Sequence, residues 1–212
     1  MVNKIKNGIV FIKTPKCGTE TVSHHLSILA NSQLFKLKTT EIQGEFPDKG
    51  YVNLQHLQWN DINHDLIKAE NRAIISCIRN PLTRMMSHYR HLRDSENRYS
   101  EYGSDFGSWY AENYHNTNFE KGYNGLDNYI SKYMGITKLS DIDNYDFIFV
   151  LEQLDDYVDE FSKKTGVNFV NQTKNKSNSS DRLLINREQF DLFAKNNKLD
   201  YDIYTHIIKN KF

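Results

Sequence analysis

The chain has little cysteine, no excess of either charge and no long apolar run, and each scarcity removes a class of protein. Two cysteines among 212 residues, Cys17 and Cys77, do not make a disulfide framework or a set of paired zinc ligands. Lysine plus arginine total 27, as do aspartate plus glutamate, so no global field draws the chain to nucleic acid or to a membrane surface. Any basic groove is therefore local. The first residues, Met1-Val2-Asn3-Lys4-Ile5-Lys6, lack an extended apolar region, and no stretch approaches the length of a membrane span. A cytoplasmic location is expected. The acceptor patterns for glycosylation at Asn171, Asn175 and Asn178 then read as chance in an Asn-rich loop. Hydrophobic residues make up only 38%, but 13% are aromatic, and each of those buries a large area. A wholly disordered chain is excluded, and one domain over residues 1–212 with a sizeable core is expected.

Against that background one segment stands out. Gly8-Ile9-Val10-Phe11-Ile12-Lys13 is apolar and β-branched, the pattern of a buried parallel strand. Val22, Leu26 and Leu29 follow at i, i+4 and i+7, a helical stripe. Between them lies Thr14-Pro15-Lys16-Cys17-Gly18-Thr19-Glu20-Thr21. A strand, a short polar turn with glycine and then a helix aim free backbone N–H groups and the helix dipole at an anion. Thr19 and Thr21 add hydroxyl donors and Lys16 a movable charge. The order differs from the common nucleotide loop, in which Lys and Ser/Thr follow the second glycine: here Lys16 precedes the glycine and is followed by Cys17, with no hydroxyl at that place to hold magnesium. The pattern suits a phosphate-like group other than Mg-ATP.

A second segment adds another anion contact. Ala73-Ile74-Ile75-Ser76-Cys77-Ile78 is a strand candidate that runs into Arg79-Asn80-Pro81-Leu82-Thr83-Arg84-Met85-Met86-Ser87-His88-Tyr89. Asn80 before Pro81 predicts an N-cap with proline in the first helical position, and Leu82, Met85, Met86 and Tyr89 form the apolar face. Arg79 ends the strand, where open α/β sheets bind ligands. Ser87 lies on the face away from Leu82 and Met86. Arg84 is expected to tie the helix down through an ion pair, with ligand contact as the alternative.

Together the two segments resemble the sulfotransferases that use 3′-phosphoadenosine 5′-phosphosulfate (PAPS). That family binds the 5′-phosphosulfate with a P-K-x-G-T-x-[ST] loop, matched by Pro15 to Thr21. It binds the 3′-phosphate through the first Arg and the Ser of R-[DN]-P-x-x-R-x-x-S-x-Y, matched by Arg79 to Tyr89. The second motif is most similar to the carbohydrate branch that includes heparan sulfate 2-O-sulfotransferase. The resemblance is specific over roughly residues 8–93 and weaker to residue 180. Glu20 departs from it, being an acid where the family often has a small or hydroxyl residue. The resemblance implies a sulfuryl transfer enzyme with PAPS as donor, a hydroxyl acceptor, most naturally a glycan, and donor binding by Lys16, Cys17, Gly18, Thr19, Glu20, Thr21, Arg79 and Ser87. It also implies a lid over the nucleotide near Lys174, Lys176 and Ser177, for which a solvated loop is the alternative.

Lys16 is the expected catalytic cation. Sulfuryl transfer builds negative charge on the bridging oxygen, and a positioned ammonium there stabilises the transition state more than the ground state. His56, in Tyr51-Val52-Asn53-Leu54-Gln55-His56-Leu57 after a candidate strand, suits the base because imidazole titrates near neutrality. His24, His25, His88 and His91 are weaker candidates. Glu152 either orients a base or acceptor or serves as a charge partner at a helix N-terminus. Tyr99, Tyr102, Trp109, Tyr110, Tyr114 and Tyr123 either line an acceptor groove or pack a core. No metal ligand set is evident. A small-molecule kinase and a non-catalytic nucleotide-binding protein of the same fold are the rival classes.

The remaining pattern predicts strands near 35–38, 50–54 and 145–151, a helix face from Leu126, Tyr129, Ile130 and Tyr133, and a helix carrying Leu154, Val158 and Phe161 that ends at Gly166. A polar loop over 171–182 and two final helices complete it. Strands alternating with helices predict a three-layer, P-loop-like α/β fold with a central, mainly parallel sheet.

Overall fold

The computed structural model describes residues 9–30, 58–61, 64–69, 71–95, 105–114, 126–166 and 185–210. At its centre lie three parallel strands, β1 (Ile9–Ile12), β2 (Ala73–Ile78) and β3 (Phe147–Val150), in that spatial order. Ile12 sits opposite Ser76 on one side of β2, and Ile75 opposite Phe147 on the other. Every residue of β1 and β3 is buried, so the strands read as continuous apolar runs, as a sheet covered on both faces requires. The three strands expected at 8–13, 73–79 and 145–151 are present, each trimmed at its ends. Those expected near 35–38 and 50–54, and the loop over 171–182, lie outside the described residues.

Helices flank the sheet: α1 (Thr19–Ala30), the short α2 (His64–Ala69), α3 (Pro81–Ser95), α4 (Phe106–Asn113), α5 (Tyr129–Met134), α6 (Leu154–Thr165), α7 (Arg187–Asn196) and α8 (Lys198–Lys209). Their ends follow local chemistry. Asn80 Oδ1 accepts from the amides of Leu82 and Thr83 at 3.1 and 3.3 Å, capping α3 ahead of Pro81. Gly166, at φ 74°, closes α6 after Lys163 and Lys164, its N–H donating to Ser162 O at 2.8 Å. Asn186 and Gln189 form a reciprocal capping box at the start of α7.

One helix departs from its sequence pattern. The stripe from Leu126 to Tyr133 is broken at Asn128, which adopts a left-handed φ of 45°, and α5 begins only at Tyr129. Tertiary bonds hold that turn: Asn128 Oδ1 accepts from the amides of Leu199 and Asp200 at 3.1 and 3.3 Å, and Asn128 N donates to Asn197 Oδ1 at 3.0 Å. Leu126 therefore packs apart from the other three residues, in a second apolar cluster.

Two clusters carry the burial. The larger surrounds the sheet and joins Ile12, Ile78 and Phe149 to Val22, Phe161 and Ile203 on the helices. The smaller brings Met85, Tyr89, Phe106, Trp109, Tyr110 and Phe193 together from α3, α4 and α7. Trp109 and Tyr110 are 2% and 0% exposed, so these two rings pack a core and do not line an acceptor groove. Tyr114 packs against the same cluster, while Tyr99, Tyr102 and Tyr123 lie outside the described residues. Removing a ring as large and enclosed as Trp109 would cost about 3–5 kcal/mol.

Candidate active site

The loop after β1 is drawn tight by its own backbone and by β2. Thr14 N donates back to Ile12 O at 3.1 Å, and Cys17 N to Thr14 O at 3.3 Å. Ser76 Oγ donates to Ile12 O at 2.8 Å and lies 3.3 Å from Thr14 Oγ1, while Cys77 Sγ donates to Cys17 O at 2.7 Å. Lys16 and Gly18 both take left-handed φ values, 64° and 77°. For Lys16 that conformation costs of order 1–2 kcal/mol, so the surrounding bonds must hold it. At Gly18 a Cβ would also run into Leu151 Cδ1 just past β3, which leaves glycine the residue that fits.

The consequence is a cluster of donors at the start of α1. The amides of Thr21 and Val22 return to Gly18 O at 3.1 and 3.4 Å. Those of Gly18, Thr19 and Glu20 have no acceptor among the described residues, as expected of the first N–H groups of a helix. With the positive end of the helix dipole they form a site for an anion. Thr19 and Thr21 are buried beneath it. Glu20, the unexpected acid, is engaged elsewhere: its Oε1 accepts from Lys13 Nζ at 3.0 Å. Cys17 is fully buried, and burial pushes its thiol up to about 12 against the pull of Arg84 and Arg79, so it stays neutral.

Arg79, at the carboxyl end of β2, reaches the same loop. Its Nη1 donates to Lys16 O at 3.4 Å and its Nε to Thr83 Oγ1 at 3.0 Å. Ser87, two turns along α3, is half-buried. Arg84 differs from expectation. It is 1% exposed, its Nε donates to Pro15 O at 3.4 Å, and its guanidinium carbon lies 3.5 Å above the centre of the Tyr129 ring. It ties α3 to the loop through a carbonyl and an aromatic face, and such a sealed position keeps it from a ligand in solvent. Among the described residues the buried acid whose charge it opposes is Asp200, whose carboxylate accepts the amides of Ile130 and Ser131 at 2.8 Å each.

Glu152 stands just past β3 and closes the arrangement. Its Oε1 accepts from Asn80 N at 3.1 Å and Thr83 Oγ1 at 3.0 Å and lies 3.7 Å from Arg79 Nε. Its Oε2 accepts from Tyr204 OH at 3.4 Å. It is thus a charge partner at a helix N-terminus, that of α3 and not of α6, which it precedes in the chain. Tyr204, Thr83 and Asp200 carry no motif signal, and only their contacts bring them to the site. Among the weaker histidines, His88 is buried on α3 with its ring 6.2 Å from that of Tyr129. His56, Lys174, Lys176 and Ser177 lie outside the described residues.

Free amides at a helix start, a lysine beside them and an arginine from the neighbouring strand meet at the carboxyl ends of a parallel sheet. That combination defines an α/β protein whose strand ends gather donors of the kind suited to an anion. The model of the sulfotransferase family matches residues 1–205, and the chain belongs to that family. No curated protein and no solved structure matches the chain. Its class of chemistry is the transfer of a sulfuryl group to an acceptor hydroxyl.

Proposed function

We propose that the chain is a single-domain, PAPS-dependent sulfotransferase acting on a carbohydrate hydroxyl, in the manner of the heparan sulfate 2-O-sulfotransferase branch that its second motif resembles. The observation that carries the donor assignment is the bond from Arg79 to the Lys16 carbonyl. It supports two anion positions side by side, one for a 5′-phosphosulfate on the amides of Gly18, Thr19 and Glu20, the other for a 3′-phosphate on Arg79 and Ser87. Arg offers a planar fork suited to phosphate, and Ser a supporting donor.

Lys16 acts on charge that appears only during reaction. The acceptor oxygen attacks sulfur in line, the bond from sulfur to the bridging oxygen breaks, and the electron pair stays on the departing phosphate. Lys16 and the loop amides stabilise that growing charge. His56 takes the acceptor's proton as the new bond forms. Lys174, Lys176 and Ser177 cover the nucleotide. Among the described residues no helix is long and apolar enough to cross a membrane, and we place the enzyme in the cytoplasm.

Incubation of the protein with sulfur-labelled PAPS and a panel of glycans and small hydroxyl compounds tests this. Label should pass to a glycan. Transfer to small molecules alone would overturn the carbohydrate assignment, and phosphate transfer from ATP dependent on magnesium would favour a kinase.

A further inference from the structure

The contacts of the Glu152 carboxylate reach beyond the start of α3 and, through Arg79, link all three strand ends. Tyr204 on α8 donates to it, and it accepts from Asn80 and Thr83 and pairs with Arg79. Arg79 in turn holds the Lys16 carbonyl. Both carboxylate oxygens are thus engaged, which ties Glu152 to the start of α3 and to α8.

We propose that Glu152 is a positioning residue that sets Arg79 for the 3′-phosphate and so determines selectivity for 3′-phosphorylated nucleotides. The proposal rests on the donor assignment made above. A guanidinium presents five N–H groups in a planar fork. In Arg79 the Nε edge is committed to Thr83 and Glu152, and one Nη1 bond goes to Lys16 O. Among the described residues Nη2 makes no bond, so the Nη1–Nη2 edge is the one that remains for a phosphate. An arginine left loose would have to be ordered by the ligand, and the ligand's affinity would fall by that cost. The opposing effect is electrostatic, since a carboxylate near the site repels phosphate. Glu152 keeps about a third of its side chain exposed, 32%, where water weakens that repulsion, whereas its hydrogen bonds act at contact distance.

Titration calorimetry of the full chain with adenosine 3′,5′-bisphosphate and with AMP tests this, using the unmutated protein, Glu152→Gln and Tyr204→Phe. Glutamine keeps the shape and one acceptor oxygen but loses the charge that holds Arg79. Glu152→Gln should weaken the bisphosphate by about 5- to 10-fold, the scale of ordering one rotamer-rich side chain, with AMP changed less than about twofold. Tyr204→Phe, which removes only the bond to Oε2, should shift the same ratio in the same direction by less, and it carries the test if Glu152→Gln does not fold. An equal loss for both nucleotides would mark Glu152 as merely structural and overturn the proposal, as would tighter bisphosphate binding. If the unmutated protein itself binds the two nucleotides equally, the donor assignment fails first and this inference with it.

Discussion

Replacing Arg84 with methionine should destabilise the fold by about 2–3 kcal/mol, and the loss should shrink in acid. Methionine occupies similar length without charge, so the change is chiefly electrostatic. It removes the bond from Nε to Pro15 O, of a charge-assisted type worth about 1.5–3 kcal/mol. It also removes a guanidinium stacked 3.5 Å over Tyr129, worth about 2 kcal/mol when desolvated. Taking one charge from a buried set costs about 3–5 kcal/mol when its partner stays behind. Two terms soften that figure here. Arg84 Nη2 has no acceptor among the described residues, so its burial penalty is recovered, and Asp200 keeps two amide bonds.

The pH dependence supplies a second readout. Burial raises the Asp200 carboxyl above its ordinary value, while the amides of Ser131 and Ile130 and the Arg84 charge pull it back. The folded state therefore binds the Asp200 proton more tightly than the unfolded chain. Stability from this group is complete below the unfolded value of 3.8 and is lost as pH rises through the raised folded one. Without Arg84 the folded value climbs further, so the variant's deficit is greatest near neutrality and falls as Asp200 is protonated. Urea unfolding of both proteins at about pH 7 and about pH 5 measures this. A deficit under about 1 kcal/mol would refute the role of Arg84 in holding the loop, and one equal at both pH values would refute any action of its charge on Asp200.

Lys16→Ala should fold normally yet lose at least about 100-fold in turnover, since the loop is held by backbone bonds and the ammonium acts on developing charge; near-normal turnover would remove Lys16 from that role. Arg79→Ala should erase the preference for adenosine 3′,5′-bisphosphate over AMP in thermal-shift assays, a loss on the order of 1.5–3 kcal/mol. Equal shifts from both nucleotides before mutation would sink the 3′-phosphate site. His56→Ala should lower turnover by about 10²–10⁴-fold with nucleotide affinity little changed, and the acidic limb of the rate profile should report an ionisation near the imidazole value of about 6.5. Retention of that limb in the variant would place the base elsewhere.

Much of the architecture was legible because its causes are local. Each described strand is a short apolar run ending in polar residues, and the caps at Asn80 and Gly166 act on backbone groups within a turn of themselves. The loop was legible for the same reason, as a lysine, a glycine and two hydroxyls set at fixed spacing between a strand and a helix. The Leu126 to Tyr133 stripe misled because an apolar period of four is compatible with one helix, whereas the left-handed turn at Asn128 is held by Leu199, Asp200 and Asn197 from the other end of the chain.

The sequence by itself therefore determined the three described strands, most of the described helix ends and the two motif segments at the strand ends, each set by periodicity and residue type over a few neighbouring positions. Only the tertiary structure decided what surrounds those segments. Glu152 accepts from Asn80, at the start of α3 and 72 residues before it, Asp200 holds amides 70 and 69 residues away, and Arg84 turned from an expected ion pair to the Pro15 carbonyl and the Tyr129 ring. Trp109 and Tyr110 likewise became core once α3, α4 and α7 met around them. Such contacts depend on the order and register of β1, β2 and β3, which bring distant strand ends within hydrogen-bond reach, and no local pattern encodes that distance.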